Sequence, residues 1–226
     1  MIEVKICGIK DLAAMDAALE AGADLVGLVF FPPSPRAVTM DAAAKLAARA
    51  RGRARVTALV VDANDSLLAG IVEHAKPDLL QLHGAESTER VAAIRSRFGR
   101  PVMKAIPVAE AADLRAVPDY EAVADRILFD ARPPKDANRP GGHGRAFDWA
   151  LLAGFKRKQP MMLSGGLTPE NVAEAIAIVR PDAVDVSSGV ERAPGEKDLA
   201  KIASFVKNAR AAAAALGRPQ KREKVS

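Results

Sequence analysis

Two residues that can exchange protons with a substrate stand at the ends of short apolar runs. Cys7 ends the run VKIC, and Asp130 follows RILF. A thiolate can act as a general base, and a carboxyl group in apolar surroundings can hold a proton and act as a general acid. Both residues are therefore candidates for acid–base catalysis, provided that the fold brings them to the same place.

Each of these candidates also has a purely structural interpretation. A free cysteine behaves as a small buried hydrophobe, and an aspartate after a strand often caps a loop. The segment GIKDLAAM that follows Cys7 matters here, because a glycine turn and the start of a helix can lower the pKa of a thiol. Composition alone favours a core cysteine, whereas this context makes base chemistry plausible.

Two further segments combine glycine with serine where apolar runs end. LSGGLTPEN contains Gly165 and Gly166, and VDVSSGVE contains Ser187, Ser188 and Gly189. Backbone N–H groups, hydroxyl groups and the start of a helix can bind a phosphate without any lysine. The glycines can instead serve tight turns, but two such segments after consecutive runs favour a phosphate site.

Arg36 and the histidines complete the set of candidates. Arg36 lies in the proline-rich segment FFPPSPR, where its guanidinium group can bind a carboxylate through two hydrogen bonds. A surface arginine with no role is the alternative. His83 is predicted to be structural and to bond a backbone carbonyl. His74, His83 and His143 lack the spacing of metal ligands relative to Cys7 or to each other, so no metal site is predicted.

Eight short apolar runs deliver these residues, and helix-like segments rich in Ala, Leu and Glu separate the runs. In chain order the runs are IEVKIC, DLVGLVF, RVTALVV, DLLQLH, PVMKAI, RILFD, PMMLS and AVDVS. They lack an alternating polar face, which is typical of parallel strands buried on both sides. The polar residues at their ends are Cys7, Asp62, His83, Lys104, Asp130, Ser164 and Asp185.

The fold class predicted from this alternation is α/β, with a single (β/α)₈ barrel that gathers the strand ends at one face. A doubly wound sheet usually has a GxGxxG fingerprint after its first strand, and none follows IEVKIC. One catalytic domain is predicted over residues 1–210. Residues 211–226 are predicted to be the fraying end of a helix followed by a basic, mobile tail.

The composition excludes several classes of protein. Of 226 residues, 49% are hydrophobic and 27% are charged, which is typical of a globular chain. Of the net charge of +5, +3 lies after Gly217, where four basic residues stand against one acidic residue. The remaining charge is too small for a nucleic-acid footprint. A single cysteine, no signal peptide and no run of roughly 20 apolar residues predict a soluble cytoplasmic protein.

Together these segments resemble one enzyme family, the phosphoribosylanthranilate isomerases of tryptophan biosynthesis. The similarity runs in order from Val4 to about Phe205, and the combination is specific although each segment alone is weak. The similar segments are KICGI at Lys5, GLVFFPPSPR at Gly27, QLHG at Gln81, LFDA at Leu128, LSGGLTPENV at Leu163 and DVSSGVE at Asp185.

The resemblance implies an Amadori rearrangement of N-(5-phosphoribosyl)anthranilate to 1-(2-carboxyphenylamino)-1-deoxyribulose 5-phosphate, without cofactor or metal. It implies that Cys7 is the general base, that Asp130 is the general acid, and that Arg36 binds the anthranilate carboxylate. The glycine and serine segments would bind the phosphate, and Asp185 would lie near the ribose hydroxyl groups. The expected partner is this small phosphorylated substrate, with no nucleic acid and no membrane, in a monomer or homodimer.

Several alternatives stay open from the sequence. The chain can be another phosphosugar barrel, although such enzymes call for a lysine-centred acid–base set or a metal site, or a catalytically silent barrel that binds phosphorylated ligands. The glycine- and proline-rich segment 131–147 is either a lid over the site or a flexible surface loop. Arg192, just beyond DVSSGVE, has no assigned role.

Overall fold

Eight parallel strands close into a barrel in the order of the sequence. The structure, a computed structural model, describes residues 1–133, 141 and 146–217. The barrel strands are β1 Glu3–Cys7, β2 Leu25–Val29, β3 Arg55–Val60, β4 Leu79–Leu82, β5 Val102–Val108, β6 Arg126–Ala131, β7 Met161–Leu163 and β8 Ala183–Val186. β8 pairs with β1 and closes the sheet. The predicted (β/α)₈ barrel is confirmed, and each apolar run forms one strand.

Helices connect most of the strands and cover the outside of the barrel. They are α1 Leu12–Glu20, α2 Met40–Ala50, α3 Asp65–His74, α4 Thr88–Phe98, α5 Val117–Glu121, α6 Val172–Val179 and α7 Leu199–Ala215. Side chains cap several of them; Asp11 Oδ1, for example, accepts from the N–H of Ala14 at 2.8 Å before α1. Between β6 and β7 the described residues contain only the 3₁₀ turn Trp149–Leu152, so the regular alternation is weakest there.

A small hairpin that the sequence patterns did not predict follows β8. The 3₁₀ turn Ser188–Val190 leads into β9 Glu191–Ala193 and β10 Glu196–Lys197, which pair antiparallel before α7. A Cβ on Gly195 would lie 2.4 Å from the carbonyl oxygen of Pro35, so the hairpin packs against the loop that follows β2. Strands this short carry no readable periodicity, so they could not be predicted from the residue pattern.

Both faces of the barrel sheet are buried, as the continuous apolar runs predicted. Side chains such as Ile6 and Phe129 on the outer face join the core between barrel and helices. Leu25, Met103 and Leu128 belong to a second cluster that fills the inside of the barrel. Because side chains alternate along a strand, residues two apart point to the same side. This alternation determines which polar residues face the inside of the barrel.

Four aspartates order the amino-terminal end of the barrel. They directly precede the even-numbered strands, and each carboxylate accepts from a backbone N–H of the preceding odd-numbered strand at 2.7 to 3.0 Å. Each aspartate also donates its own N–H to the carbonyl of that same residue. The pairs are Asp24 with Val4, Asp78 with Val56, Asp125 with Val102 and Asp182 with Met161. The register of four strand pairs is therefore fixed in the same way.

The last helix extends into the predicted tail. α7 runs to Ala215, and Ala213 is only 4% exposed, so residues 211–215 are helical and pack on the barrel. Residues 218–226, which make up most of the predicted basic tail, lie outside the described residues. Within the part of the chain that is described, no helix has the length and apolar character needed to cross a membrane.

Candidate active site

A cavity of about 820 Å³, open to solvent, lies at the carboxyl ends of the barrel strands. The structure brings all of the candidate residues to its wall. These are Cys7, Arg36, Asp130, Gly165, Gly166, Asp185, Ser187, Ser188 and Gly189, and the wall also includes Gln81, His83 and Ser164.

Cys7 is the last residue of β1 and is only 3% exposed, although it lines the cavity. Burial raises the pKa of its thiol above the ordinary value, while the nearby ammonium groups of Lys5 and Lys197 oppose this rise. The sequence suggested that Gly8 and the following helix would lower this pKa. That expectation is wrong, because burial outweighs the favourable charges and α1 begins only at Leu12.

Asp130 near the end of β6 is held at both carboxylate oxygens. Oδ1 accepts from the N–H of Ala131 at 2.9 Å, and Oδ2 lies 3.2 Å from Nε2 of His83. Nδ1 of His83 in turn lies 2.9 Å from the amide nitrogen of Gln81. Both ring nitrogens of His83 are therefore held by side chains, one by Asp130 and the other by Gln81.

His83 was predicted to bond a backbone carbonyl, and that prediction is wrong because both ring nitrogens meet side chains. A signal was present in the sequence. Gln81 and His83 are two residues apart at the end of one predicted strand, which puts them on the same face. What the sequence did not show is that Asp130, 47 residues away, shares that face.

Arg36 is buried in the loop after β2, and one edge of its guanidinium group is bound within the protein. Nε and Nη2 donate to the two carboxylate oxygens of Glu191, each at 2.8 Å. Nζ of Lys197 donates to the same carboxylate at 2.8 Å. Burial would raise the pKa of Glu191, but Arg36 and Lys197 outweigh it and hold this pKa below its ordinary value. Neither hairpin residue, Glu191 or Lys197, was expected at the site from the sequence.

The loops after β7 and β8 meet at one wall of the cavity. A Cβ on Gly189 would lie 1.8 Å from the carbonyl oxygen of Leu167 in the β7 loop. The two backbones therefore approach so closely that only glycine fits at position 189. Gly165 and Gly166 adopt left-handed φ values of +84° and +67°, which favour glycine. With Ser187 and Ser188 beside them, this wall combines hydroxyl groups with closely packed backbone, as an anion site requires.

A buried ion pair lies beside the candidate base. Nζ of Lys5 donates to Oδ1 of Asp185 at 3.0 Å, and Lys5 is 0% exposed. Oδ2 of Asp185 lies 3.5 Å from the hydroxyl of Ser164. Burial disfavours the ammonium form, but Asp185 and Cys7 outweigh burial and raise the pKa of Lys5 above its ordinary value. Lys5 was not among the candidates, although a lysine inside an apolar run is unusual.

Asp62 and Lys104 also stand at the ends of strands, but neither lines this cavity. Lys104 stands between Met103 and Ala105, whose side chains fill the barrel, so strand alternation directs Lys104 to the outer face. Its ammonium lies 3.0 Å from Oε2 of Glu86, and Oε1 of Glu86 accepts from the N–H of Asp62. These contacts tie the loops after β3 and β4 together.

The predicted lid or surface loop, segment 131–147, falls largely outside the described residues. Gly141 is described and lines the cavity. A Cβ at this position would lie 2.7 Å from Oδ2 of Asp130 and 2.9 Å from Nε2 of His83. Among the residues that the structure describes, no group of three or more His, Cys, Asp and Glu side chains is arranged to hold a metal ion.

A protein-family model and relatives of high sequence identity point to the same enzyme family. The family model described as N-(5'phosphoribosyl)anthranilate (PRA) isomerase matches residues 4–208. The N-(5'-phosphoribosyl)anthranilate isomerase of Rhodopseudomonas palustris (strain BisA53) is 61% identical over 210 residues, which are 93% of this chain and 96% of the relative.

Solved structures agree with the sequence relatives. The phosphoribosyl anthranilate isomerase of Thermotoga maritima superposes with a TM-score of 0.85 at 37% identity, over 93% of this chain and 100% of that one. A phosphoribosyl anthranilate isomerase in complex with reduced 1-(o-carboxyphenylamino)-1-deoxyribulose 5-phosphate superposes with a TM-score of 0.82 at 35% identity, with the same coverage.

Of the possibilities that the sequence left open, these comparisons support the isomerase over another phosphosugar barrel or a silent one. The family match covers nearly the whole barrel, and it includes every segment on which the resemblance rested. The chain belongs to the N-(5'-phosphoribosyl)anthranilate isomerase family.

Proposed function

We propose that Cys7 is the general base and Asp130 the general acid of the reaction. The chain is an isomerase of the intramolecular oxidoreductase class in tryptophan biosynthesis, and its reaction is the Amadori rearrangement of N-(5'-phosphoribosyl)anthranilate. The observation that carries the assignment of roles is that Cys7 and Asp130 line one cavity from different sides of the barrel.

The order of the strands supports this assignment, because it gives each part of the substrate its own sector. The loops after β7 and β8 offer an anion site for the phosphate. On the other side, β2 leads into Arg36, and Phe31 and Leu59 add apolar surface suited to an aromatic ring that carries a carboxylate. A substrate that spans the two sectors has β1 with Cys7 on one flank and β6 with Asp130 on the other.

The chemistry follows from this placement. Asp130 donates its proton to the ring oxygen, the C1–O bond breaks, and the nitrogen lone pair forms a C1=N bond. The thiolate of Cys7 then removes the proton from C2; the C–H electrons form a C1=C2 bond, and the C1=N pair returns to nitrogen. The enolamine finally gains a proton at C1 and loses the proton of its C2 hydroxyl, which yields the ketone.

The anchors would act by positioning. Arg36 lines the cavity beside Phe31 and binds the anthranilate carboxylate there. Asp185, on the wall beside Ser164, is placed to meet the ribose hydroxyl groups. Holding both ends of the sugar between acid and base can supply several kcal/mol of the barrier.

His83 would orient the acid. Its contact with Oδ2 and the Ala131 contact with Oδ1 together leave the Asp130 carboxyl group little rotational freedom. Gln81 holds the imidazole ring from the other side. We therefore assign His83 and Gln81 as positioning residues for Asp130.

The direct test is Cys7→Ser, assayed with substrate generated in situ and with the same substrate deuterated at C2. Positioned acid–base groups typically contribute about 10²- to 10⁴-fold, so kcat should fall by that factor. The deuterium effect on kcat should become larger, since proton removal from C2 becomes the slow step. A folded Cys7→Ser protein with near-wild-type turnover would show that Cys7 is not the base.

We further propose a monomer or homodimer in the cytoplasm. The cavity residues that the structure describes come from one chain, so the chemistry does not call for a partner subunit. A catalytic thiol must stay reduced, which fits a reducing compartment. Sedimentation analysis of the purified protein would measure the oligomeric state.

A further inference from the structure

Lys5 is a fully buried charge that the mechanism above does not use. It lies in the middle of β1, is 0% exposed, and points into the barrel below the cavity. Burying an ammonium group is costly unless it is paired and hydrogen-bonded. A residue of similar shape without charge would fill the same space at lower cost, so the charge itself calls for an explanation.

The geometry of β1 puts this charge next to the proposed base. Lys5 and Cys7 are two residues apart, so their side chains share the inner face of the strand. Asp185 on β8 stands directly opposite Lys5 in the sheet register and holds its Nζ at 3.0 Å. The Lys5 ammonium is also near enough to Cys7 to favour a negative charge on its sulfur.

The position of the sulfur is restricted as well. Gly27 on β2 is the register partner of Cys7, and a Cβ on Gly27 would lie 2.8 Å from the sulfur. Because Gly27 has no side chain, the Sγ atom of Cys7 can lie beside it on the inner surface of the sheet. The sulfur, the Lys5 ammonium and the Asp185 carboxylate therefore share the inner surface of the neighbouring strands β1 and β8.

Two of the three charged groups that act on the Cys7 sulfur are positive. Lys5 from β1, Asp185 from β8 and Lys197 from β10 act on Cys7 directly. Lys197 is in turn bound to Glu191, which pairs with Arg36. Lys5 and Lys197 favour the thiolate, whereas Asp185 opposes it.

We propose that Lys5 is a positioning residue that holds the Cys7 thiolate during catalysis, with Asp185 directing the ammonium toward the sulfur. This inference rests on the proposed role of Cys7 as the base. Burial by itself makes the thiolate hard to form, and Lys5 is the closest compensating charge on the same strand. The lysine that interrupts the apolar run of β1 therefore acts together with the base.

The test uses the fact that the chain has a single cysteine. The rate of alkylation by iodoacetamide, followed by intact mass as a function of pH, therefore reports the thiolate of Cys7 alone. In Lys5→Met the midpoint of this profile should move upward by at least about one pH unit. At pH 8 the alkylation rate should fall about tenfold, and kcat should fall more than KM changes. Lys45→Met, on the exposed face of α2, is the matched control and should leave the profile in place.

Lys5→Met leaves Asp185 unpaired in the interior, so a second comparison guards against misfolding. The double variant Lys5→Met, Asp185→Asn keeps the pair neutral, and its midpoint should lie above that of Asp185→Asn alone. An unchanged midpoint in a folded Lys5→Met protein, or equal midpoints in the second comparison, would overturn the proposal. Full activity in Cys7→Ser would instead overturn the role of Cys7 and leave the thiol titration as measured, so the two failures are distinguishable.

Discussion

Aspartates stand at both ends of the barrel strands, and the two groups differ in surroundings. On β6, Asp125 precedes the strand and Asp130 lies near its carboxyl end; on β8, Asp182 precedes the strand and Asp185 lies within it. The side chains of Asp125 and Asp182 are 28% and 44% exposed, whereas those of Asp130 and Asp185 are 11% and 5% exposed.

The partners of these carboxylates differ in the same way. Asp125 accepts from the backbone N–H of Val102 and from Arg95, groups that do not change protonation near neutral pH. Asp130 meets the imidazole of His83, and Asp185 meets a buried lysine. The same amino acid therefore stabilises strand register at one end of the barrel and can take part in proton chemistry at the other. The difference lies in which end of a strand it occupies.

Asp130→Asn and Asp125→Asn, two substitutions on one strand, test this comparison most strongly. Asp130→Asn should lower kcat by about 10²- to 10⁴-fold with little change in Tm, because it removes the acid. Asp125→Asn should instead lower the free energy of unfolding by about 1 kcal/mol, through weaker hydrogen bonds to Val102 and Arg95, and leave kcat unchanged. Steady-state kinetics and thermal melts measure both. A large rate loss in Asp125→Asn would contradict the division between the two ends.

Arg36→Met should act mainly on binding. Loss of charged hydrogen bonds worth about 1.5 to 3 kcal/mol corresponds to a KM roughly 10- to 100-fold higher. The matched control is Arg192→Met, since Arg192 is 72% exposed and pairs only with Glu196 among the contacts described here. Initial rates over a range of substrate concentrations distinguish the two. An unchanged KM in Arg36→Met would rule out the carboxylate contact.

His83→Ala should have a smaller effect, because His83 acts through Asp130. We expect kcat to fall about tenfold, near the lower limit for groups in the proton-transfer machinery, while KM changes little. His74→Ala provides a matched control, since His74 ends α3 on the surface and its Nδ1 lies 2.8 Å from the carbonyl oxygen of Gly70. Equal activities of the two variants would mean that His83 does not position the acid.

The smallest effect is expected at the amino-terminal end, in Glu3→Gln. Burial would raise the pKa of Glu3, but the guanidinium groups of Arg126 and Arg55 outweigh it and hold this pKa below its ordinary value. A carboxyl group with a lowered pKa stabilises the fold above its unfolded pKa, and this stability is lost as the pH falls through the folded pKa. At pH 7 the variant should melt about 2 to 4 °C below the wild type. Melts at pH 7 and pH 3 should show the difference shrinking in acid, and a constant difference would contradict the charge-based explanation.

Most of the fold was predictable from the sequence, and the site only in part. The eight runs became eight strands, because a parallel barrel buries both faces of every strand and so requires continuous apolar sequence. The hairpin with Glu191 and Lys197 was not predictable, since its strands are two and three residues long. Lys104 stands at the end of an apolar run like the site residues, but side-chain alternation along β5 directs it to the outer face of the barrel.

The sequence by itself determined the strands, the closed barrel and the residue types delivered to one rim, because these depend on local periodicity and burial. Only the tertiary structure decided which charges meet: Lys5 pairs with a residue 180 positions away, and Arg36 with one 155 positions away. It also decided the direction in which the pKa of Cys7 moves. That direction depends on how much water and how many charges surround the sulfur, and both are set by packing between segments far apart in the chain.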